Sequence, residues 1–255
     1  MLSFQRREEI KRLLLQKKSV TVGEVAKLFQ VSDETVRRDL AVLCSEGFCT
    51  KTYGGASLVT RSALITASNI KKNLCVGEKH RLARIAAQQI KPKDCIFLDH
   101  STTVAEMCAE IRTMRLTVVT NSMWVIRELS NQENINLVVT GGNVSVDDQG
   151  MFGMETLNFL REHYFDKVFF SCKSLNLTKG VFDANEQISA FRRLLCGQSD
   201  RSYLMVDHTK FGVPGFVYTM PYQKLDTVIT DAALDAQWQQ VFEENGVTVI
   251  NEPTA

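Results

Sequence analysis

The sequence predicts an α/β chain of two domains: a small N-terminal domain of helices followed by a hairpin, and a larger C-terminal domain built on a mainly parallel sheet. Two capped helical segments lie about three residues apart near the N-terminus, and a short alternating segment follows them. Seven short apolar runs then alternate with helical segments. At 255 residues, the chain is also longer than one core of a mixed fold usually requires.

The first two helices are predicted from apolar periodicity and one capping motif. Residues 4–15 place leucine and isoleucine side chains on one face, which is the pattern of a short amphipathic helix. Thr21 and Glu24 have the spacing of a capping box. In that motif the Thr21 hydroxyl accepts from the Glu24 amide, and the Glu24 carboxylate accepts from the Thr21 amide. We expect the helix that begins there to end near Phe29.

The third helix is predicted to begin after Ser32, whose side chain can cap it. Asp33 and Glu34 fall in its first turn, where acids complement the helix dipole. An apolar stripe at positions i, i+4 and i+7 is formed by Val36, Leu40 and Leu43. Two short helices so closely spaced, the second with a basic outward face, are typical of a helix-turn-helix.

A wing is predicted directly after the third helix. Turn residues bracket alternating apolar and polar positions over residues 46–56, as in a short hairpin. Lys51 and Tyr53 in this hairpin are expected to touch the phosphate backbone. The first domain is therefore predicted to be a winged helix-turn-helix, with double-stranded DNA as its partner.

Arg37 and Arg38 are the side chains expected to bind DNA most directly, because a guanidinium can make two hydrogen bonds to a phosphate or a guanine edge. Asp39 would repel phosphate, so we expect it to pair with a neighbouring arginine. The residues predicted at the DNA interface are Thr21, Ser32, Asp33, Glu34, Thr35, Arg37, Arg38, Lys51 and Tyr53. The alternative is a protein-interaction module with a solvated arginine pair, which leaves the capped helix and the wing unexplained.

Composition narrows the class of protein. No apolar run is long enough to span a bilayer, and the first residues lack the apolar segment of a signal peptide, so we expect a cytoplasmic protein. Seven scattered cysteines without a C-x-x-C spacing argue against a disulfide framework and a zinc site. Residues 1–57 hold ten Lys/Arg against seven Asp/Glu, a net charge of +3 in a chain of net charge +1. That bias permits nucleic-acid binding.

The predicted domain boundaries are residues 1–57 for the winged helix-turn-helix, 58–77 for a linker without sustained periodicity, and 78–255 for the second domain. A helix is predicted over residues 78–90, and Pro92 prevents its continuation. The seven apolar runs that follow are residues 95–99, 116–120, 135–139, 167–170, 203–207, 227–229 and 247–250. Such runs, separated by helices, indicate a parallel sheet that is covered on both faces.

Ligands of open parallel sheets bind outside the carboxyl ends of the strands, and small polar residues follow four of the runs. Hydroxyls at a helix start suit an anion, paired glycines let a ligand approach the backbone, and an aspartate with a lysine suits sugar hydroxyls and a phosphate. The residues predicted at this site are Asp99, Ser101, Thr102, Thr103, Thr120, Asn121, Ser122, Gly141, Gly142, Asp207 and Lys210. Each loop alone is more often a cap or a turn, whereas four at one edge predict a polar pocket.

The stretch from Val31 to Leu40, VSDETVRRDL, closely resembles the DNA-binding domain of the DeoR/GlpR family of bacterial regulators. Tyr53-Gly54-Gly55-Ala56 extends the likeness, which covers about the first 57 residues. The resemblance implies a repressor of a sugar-catabolism operon, with both arginines of the RRDL motif on DNA.

The second domain resembles the sensor domain of the same family, with less specific motifs. The motifs occur in the same order as in the family, at Asp99 to Thr103, Thr120 to Ser122, Gly141-Gly142 and Asp207 to Gly212. The resemblance implies the ribose-5-phosphate isomerase and CoA-transferase fold, with a phosphorylated sugar or a related metabolite as inducer. Three departures from the family pattern leave a non-phosphorylated sugar open: Ser101 replaces the commoner glycine, no glycine follows Phe170, and a family lysine is replaced around Arg192-Arg193.

Together these patterns predict a metabolite-gated repressor that acts as a homodimer or homotetramer on paired half-sites and needs no cofactor or metal. An activator is an alternative, because the sign of regulation depends on where the binding site lies. A second alternative is an enzyme like a sugar-phosphate isomerase with an added N-terminal domain. No loop offers a dedicated base beside an electrophile, and His100 and His208 are isolated, so we predict no enzymatic activity.

Overall fold

The computed structural model describes residues 3–45, 49–58, 71–72 and 74–252, and the chain divides into two compact units, Met1–Leu64 and Ile65–Ala255. The helices are α1 (Ser3–Lys17), α2 (Val22–Phe29), α3 (Asp33–Ser45), α4 (Val76–Ala87), α5 (Thr102–Ala105), α6 (Met107–Ile111), α7 (Met123–Leu129), α8 (Met154–Glu162), α9 (Glu186–Cys196) and α10 (Ala236–Glu244). The strands are β1 (Ser19–Thr21), β2 (Cys49–Thr52), β3 (Gly55–Leu58), β4 (Cys95–Leu98), β5 (Leu116–Thr120), β6 (Ile135–Val139), β7 (Asn143–Ser145), β8 (Gly150–Phe152), β9 (Phe165–Phe170), β10 (Ser174–Asn176), β11 (Gly180–Asp183), β12 (Ser199–Val206), β13 (Val217–Met220), β14 (Thr227–Thr230) and β15 (Thr248–Ile250).

Helices α1 to α3 enclose the core of the N-terminal unit, as predicted from the apolar periodicity. The predicted stripe of α3 is buried, with none of its three side chains more than 3% exposed. Helix α2 ends at Phe29, and the Thr21 hydroxyl accepts from the Glu24 amide at 3.2 Å. The Glu24 carboxylate pairs with Lys17 instead of the Thr21 amide, so the predicted capping box is only half formed.

The predicted hairpin is present as β2 and β3, which pair antiparallel around a turn that contains Gly54. Gly54 has φ +83°, a left-handed conformation that glycine adopts without the strain a side chain would add. Strand β1 adds a third strand beside β3. The sequence did not predict β1, because three residues are too few to show a strand period.

All seven predicted runs form one seven-stranded sheet in the order β15-β14-β12-β9-β4-β5-β6. Every pairing in it is parallel. Side chains alternate between two cores: Phe97 and Phe170 face one, whereas Ile96 and Phe169 face the other. Helix α4 covers the second core and α9 and α10 cover the first, which confirms a sheet covered on both faces.

Two smaller sheets were not predicted. Strands β7 and β8 form an antiparallel pair, and β10, β11 and β13 form a three-stranded antiparallel sheet. These strands have only three or four residues each, and they lie in the connections between the parallel strands. Segments so short give no reliable alternation in the sequence.

The helix predicted over residues 78–90 begins two residues earlier, at Val76, and ends at Ala87. Residues 71 and 72 are helical although they fall in the predicted linker. Residues 59–70 and 73, which make up most of that linker, lie outside the described residues. The domain boundaries therefore stay a prediction. Within the described residues, no helix combines the length and hydropathy needed to cross a bilayer.

Candidate DNA interface and effector site

Helix α3 presents the predicted DNA-contacting side chains on one exposed surface. The Ser32 hydroxyl accepts from the Thr35 amide at 3.2 Å and lies 2.9 Å from the Thr35 hydroxyl, so Ser32 begins the helix as predicted. Arg37 and Arg38 are exposed, and Arg38 Nε lies 3.3 Å from Glu34 Oε1. Such an exposed pair stabilises little, about 0.3–0.5 kcal/mol, so Arg38 is available to a stronger anion.

Asp39 is buried and pairs with an arginine, but not with its neighbours in α3. Its Oδ2 lies 2.5 Å from Arg6 Nε, and its Oδ1 lies 3.7 Å from Arg7 Nη1. Both partners come from α1, which packs against α3. The acid therefore joins the first helix to the third, and its carboxylate is held away from the surface on which Arg37 lies.

The wing exposes its predicted contacts fully. Lys51 is exposed on β2, and Tyr53 is exposed at the tip of the hairpin. Thr21 is exposed as well, but its hydroxyl already caps α2. The acids Asp33 and Glu34 are exposed in the first turn of α3, where they favour the helix and would repel a phosphate.

The four predicted ligand loops meet at one edge of the seven-stranded sheet, because its strands are parallel and the loops follow β4, β5, β6 and β12. The loop after β9, Ser171 to Lys173, reaches the same edge, as do Thr230 at the end of β14 and Asp231 after it. This edge is where open parallel sheets bind ligands. We call it the carboxyl edge.

A buried ion network holds the first predicted loop. Arg192 of α9 donates to Asp99 Oδ2 from Nη2 at 2.8 Å and from Nε at 3.1 Å, and its Nη1 donates to Asp183. Thr219 also donates to Asp183, at 2.9 Å. Burial alone would raise the pKa of Asp99, but the charge of Arg192, together with His100 and the hydrogen bonds from Ser101, outweighs burial and holds that pKa below its usual range. Asp99 is thus an anchor within the protein, with Ser101 N as a further donor at 2.8 Å.

The remaining polar groups of the first loop and those of the second loop mostly fix the backbone. The Ser101 hydroxyl caps α5, and the Ser122 hydroxyl caps α7 by accepting from Val125 N. The Thr120 hydroxyl donates to Leu98 O at 2.6 Å, and Asn121 Nδ2 donates to Met151 O at 3.0 Å. Thr102 and Thr103 are buried at the start of α5.

The two glycines after β6 differ in the space around them. A Cβ on Gly142 would lie 2.4 Å from the Thr156 hydroxyl oxygen and 2.6 Å from Phe152 O. Gly142 is therefore required for the packing of the protein, whereas the sequence predicted that it lets a ligand approach the backbone. A Cβ on Gly141 would meet nothing within 4 Å.

Four lysines surround the carboxyl edge: Lys71, Lys79, Lys173 and Lys210. Burial is the main cause that lowers the pKa of Lys173 to about 7 and of Lys79 to about 8, and it lowers that of Lys71 as well. The charge of Lys210 lowers the pKa of all three further. Asp148 raises the pKa of Lys71 by more than Lys210 lowers it, whereas Asp207 raises the pKa of Lys79 by less than Lys210 lowers it.

Among the described residues, several buried polar atoms at this edge have no hydrogen-bond partner: His100 Nδ1, Asn121 Oδ1 and Thr230 Oγ1. His100 packs between the rings of Phe152 and Phe191. Burial lowers its pKa to about 4, so the ring is neutral at physiological pH. Buried polar atoms in proteins are nearly always hydrogen-bonded, so these three atoms can pair with polar groups of a bound molecule. Together with the lysines, they describe a site that favours an anionic, hydroxyl-rich molecule.

The sequence missed three of the four lysines. Lys173 follows β9 and would have been found by applying the strand-end rule to every run. Lys79 falls on the inward face of α4, at helical spacing from Leu82, Ala83 and Ala86, which are buried. Lys71 lies in the predicted linker, where no pattern singled it out.

Glu78, His208 and Asp231 form a cluster that could hold a divalent cation, since one ligand atom from each lies within 4.8 Å of the others. His208 Nδ1 lies 2.7 Å from Asp231 Oδ2, and His208 N donates to Asp231 Oδ1. This hydrogen-bonded arrangement also fixes the loop after β12 without any ion. That the protein needs no metal therefore stays a prediction.

Comparison with known proteins accounts for both units. Residues 6–62 match the model of the DeoR-like helix-turn-helix domain, and residues 75–232 match that of the DeoR C-terminal sensor domain. The chain is also similar to a solved ribose 5-phosphate isomerase A from Methanocaldococcus jannaschii, at 16% identity and a TM-score of 0.39, over 52% of this chain and 53% of that one.

Three curated relatives match over nearly their whole length. The chain is 32% identical to the uncharacterized HTH-type transcriptional regulator YulB of Bacillus subtilis, over 99% of this chain and 98% of that protein. It is 31% identical to the lactose phosphotransferase system repressor of Streptococcus mutans, over 93% and 95%. It is 27% identical to the L-fucose operon activator of Haemophilus influenzae, over 96% and 98%. The chain thus belongs to the DeoR family, and it is a DNA-binding transcription regulator with a sensor domain rather than an enzyme.

Proposed function

We propose that this regulator represses a carbohydrate operon in the cytoplasm and is released from its operator by a sugar phosphate bound at the carboxyl edge. The observation that carries the proposal is the group of four lysines there, three of which have a lowered pKa. A buried cation without a full counter-charge is unfavourable, and a bound dianion would remove that penalty. A neutral sugar would leave it in place.

The proposed effector site combines Lys71, Lys79, Lys173 and Lys210 for the phosphate with the unpartnered atoms of His100, Asn121 and Thr230 for the sugar hydroxyls. We assign three of the loops predicted from the sequence to the border of this site, at Thr102-Thr103, Thr140-Gly141 and Asp207 to Lys210, because all three lie at the carboxyl edge. Asp99 and Gly142 support it from within the protein.

The proposed DNA surface consists of α3 and the wing, with Arg37, Arg38, Lys51 and Tyr53 as the contacting side chains. Thr35 and Ser32 lie at the start of α3, where the helix dipole favours a phosphate. One such surface reads one half-site, so we propose a homodimer or homotetramer on paired half-sites. The names of relatives include a repressor and an activator, and this supports a sugar operon while leaving the sign of regulation to be measured.

The test uses the full-length protein and a DNA fragment from upstream of its own gene and the adjoining operon. Fluorescence anisotropy would measure the affinity at several salt concentrations, with and without each member of a panel of sugars and sugar phosphates. We expect specific, salt-sensitive binding that one sugar phosphate weakens, while the matching free sugar does not. Release by the free sugar alone would contradict the anionic effector, and binding unaffected by every compound would contradict gating at this site.

A reporter gene behind the same fragment separates repression from activation. Deletion of the regulator gene should raise reporter expression if the protein is a repressor. A fall in expression would show an activator, with the same DNA and effector surfaces.

A further inference from the structure

Two cysteines of the N-terminal unit lie in contact across its two DNA-facing elements. Cys44 lies in the last turn of α3, and Cys49 is the first residue of β2 in the wing. Their sulfur atoms are 3.1 Å apart. The two sulfurs of a disulfide are about 2.05 Å apart, so a bond requires an approach of about 1 Å. The other five cysteines belong to the second unit.

The pair has the asymmetry of a reactive and a resolving thiol. Cys44 is partly exposed, whereas Cys49 is buried. The hydrogen bond with Cys49 lowers the pKa of Cys44 against the opposing effect of burial, and the charge of Lys51 lowers it further. A lower pKa raises the fraction of thiolate, which is the form that oxidants attack.

We propose that Cys44 and Cys49 are a redox-modification site at which a peroxide creates a reversible disulfide between α3 and the wing. In the first step the Cys44 thiolate attacks one peroxide oxygen, and the O–O bond breaks to give a sulfenic acid and hydroxide, which takes up a proton to become water. In the second step the Cys49 thiol attacks the Cys44 sulfur, its proton goes to the departing oxygen, and water leaves. Two thiols are oxidised as one peroxide is reduced to two waters.

The consequence for DNA binding follows from the position of the bond. Arg37 and Arg38 lie on α3, and Lys51 lies two residues after Cys49. Drawing the two elements together by about 1 Å changes the spacing between these cations, and charge-assisted hydrogen bonds weaken over such a distance. We expect the disulfide form to bind its operator about three- to tenfold more weakly than the reduced form, whether or not the effector is present.

The experiment treats the full-length protein with hydrogen peroxide, blocks the remaining thiols with iodoacetamide and digests it with trypsin. Trypsin cuts after Arg38 and Lys51, and no lysine or arginine lies between, so residues 39–51 carry both cysteines in one peptide. We expect this peptide to lose about 2 Da and to escape alkylation, with full reversal by dithiothreitol. A peptide that stays doubly alkylated, or that carries a sulfinic or sulfonic acid on Cys44 alone, would overturn the proposal.

Two variants separate the chemistry from damage to the fold. In Cys49→Ser the Cys44 sulfenic acid has no resolving thiol and should be trapped by dimedone. Cys44→Ser, a change at the partly exposed position, should keep the reduced operator affinity and lose its sensitivity to peroxide. If Cys44→Ser loses affinity in peroxide as strongly as the wild type, the effect arises elsewhere and the assignment is wrong.

Discussion

Arg192 of α9 donates two hydrogen bonds to Asp99, the residue after β4, although 93 positions separate the two in the sequence. Its Nη2 and Nε lie 2.8 Å and 3.1 Å from Asp99 Oδ2. The same guanidinium donates to Asp183. One buried cation therefore pairs with two buried carboxylates at the base of the carboxyl edge. The aspartate that looked like a sugar ligand in the sequence is first of all a structural anchor for the loop that follows it.

Replacing Arg192 by methionine should destabilise the C-terminal unit severely. The change leaves Asp99 and Asp183 buried without their counter-charge, and breaking a buried ion pair in this way typically costs about 3–5 kcal/mol. Urea denaturation would measure the free energy of unfolding. Arg193→Met is the matched control, because Arg193 is exposed one position along the same helix and should change stability by less than about 0.5 kcal/mol. Equal losses in the two variants would contradict the anchoring role.

The N-terminal unit offers a parallel test at Asp39. Asp39→Asn should destabilise this unit by roughly 3 kcal/mol, because Arg6 is left buried without its anionic partner. Asp33→Asn, at an exposed acid in the first turn of α3, should cost less than about 1 kcal/mol. Thermal unfolding monitored by circular dichroism would compare the two. A larger loss in Asp33→Asn would contradict the assignment of Asp39 as the link between α1 and α3.

Arg37→Ala should weaken operator binding by about 1–3 kcal/mol, or about fivefold to 150-fold in Kd, if this exposed arginine contacts DNA. A phosphate contact would also reduce the slope of the logarithm of affinity against the logarithm of salt concentration by about one. Arg12→Ala is the control, since Arg12 is exposed on α1, outside the proposed DNA surface, and pairs with Glu9. Anisotropy titrations at several salt concentrations provide both quantities. An unchanged Kd for Arg37→Ala would remove it from the interface.

Binding of the sugar phosphate should weaken as the pH rises. Lys173 has a pKa of about 7 and Lys79 of about 8, so both lose positive charge between neutral and alkaline pH. A phosphate monoester, with its second pKa near 6, keeps its double negative charge throughout this window. We expect the Kd to increase by roughly tenfold between about pH 7 and pH 9, with protons taken up on binding. Calorimetry in buffers of different ionisation enthalpy measures that uptake, and a proton release would contradict the role of the lysines.

The two glycines after β6 should respond differently to alanine. Gly142 has φ +107° and its Cβ would clash with Thr156 and Phe152, so Gly142→Ala should lower stability by several kcal/mol. Gly141 has φ +71° but open space around it, and Gly141→Ala should cost only about 1 kcal/mol of backbone strain. Denaturation curves test the difference, and similar losses at both positions would contradict the packing role of Gly142.

The sequence predicted most of the architecture because local patterns determine it. Seven apolar runs became the seven parallel strands, and the Ser32 cap and the stripe from Val36 to Leu43 became the third helix. The short antiparallel strands of the second unit were not predicted, since their three or four residues show neither a clear alternation nor an apolar run of the length that marks the buried strands. They form because neighbouring connections meet in space.

The sequence predicted the location of the candidate site but not the buried lysines that surround it. Strand ends indicated the carboxyl edge, and Lys210 was found because it follows β12. The burial that lowers the pKa of Lys173 and Lys79 depends on elements far apart in the chain, and no local pattern reports it. The partners of Asp99 and Asp39 were hidden for the same reason, because each ion pair is long-range.

The most direct test of the account is calorimetric titration with the sugar phosphate that weakens operator binding. It is titrated into the wild type, Lys210→Gln and Lys224→Gln. Lys210 lies at the carboxyl edge and lowers the pKa of the other three lysines, whereas Lys224 is exposed shortly before β14, at the opposite end of that strand. The account predicts an affinity at least about tenfold weaker in Lys210→Gln and unchanged in Lys224→Gln. Equal affinity in all three proteins would contradict an anionic effector site at the carboxyl edge.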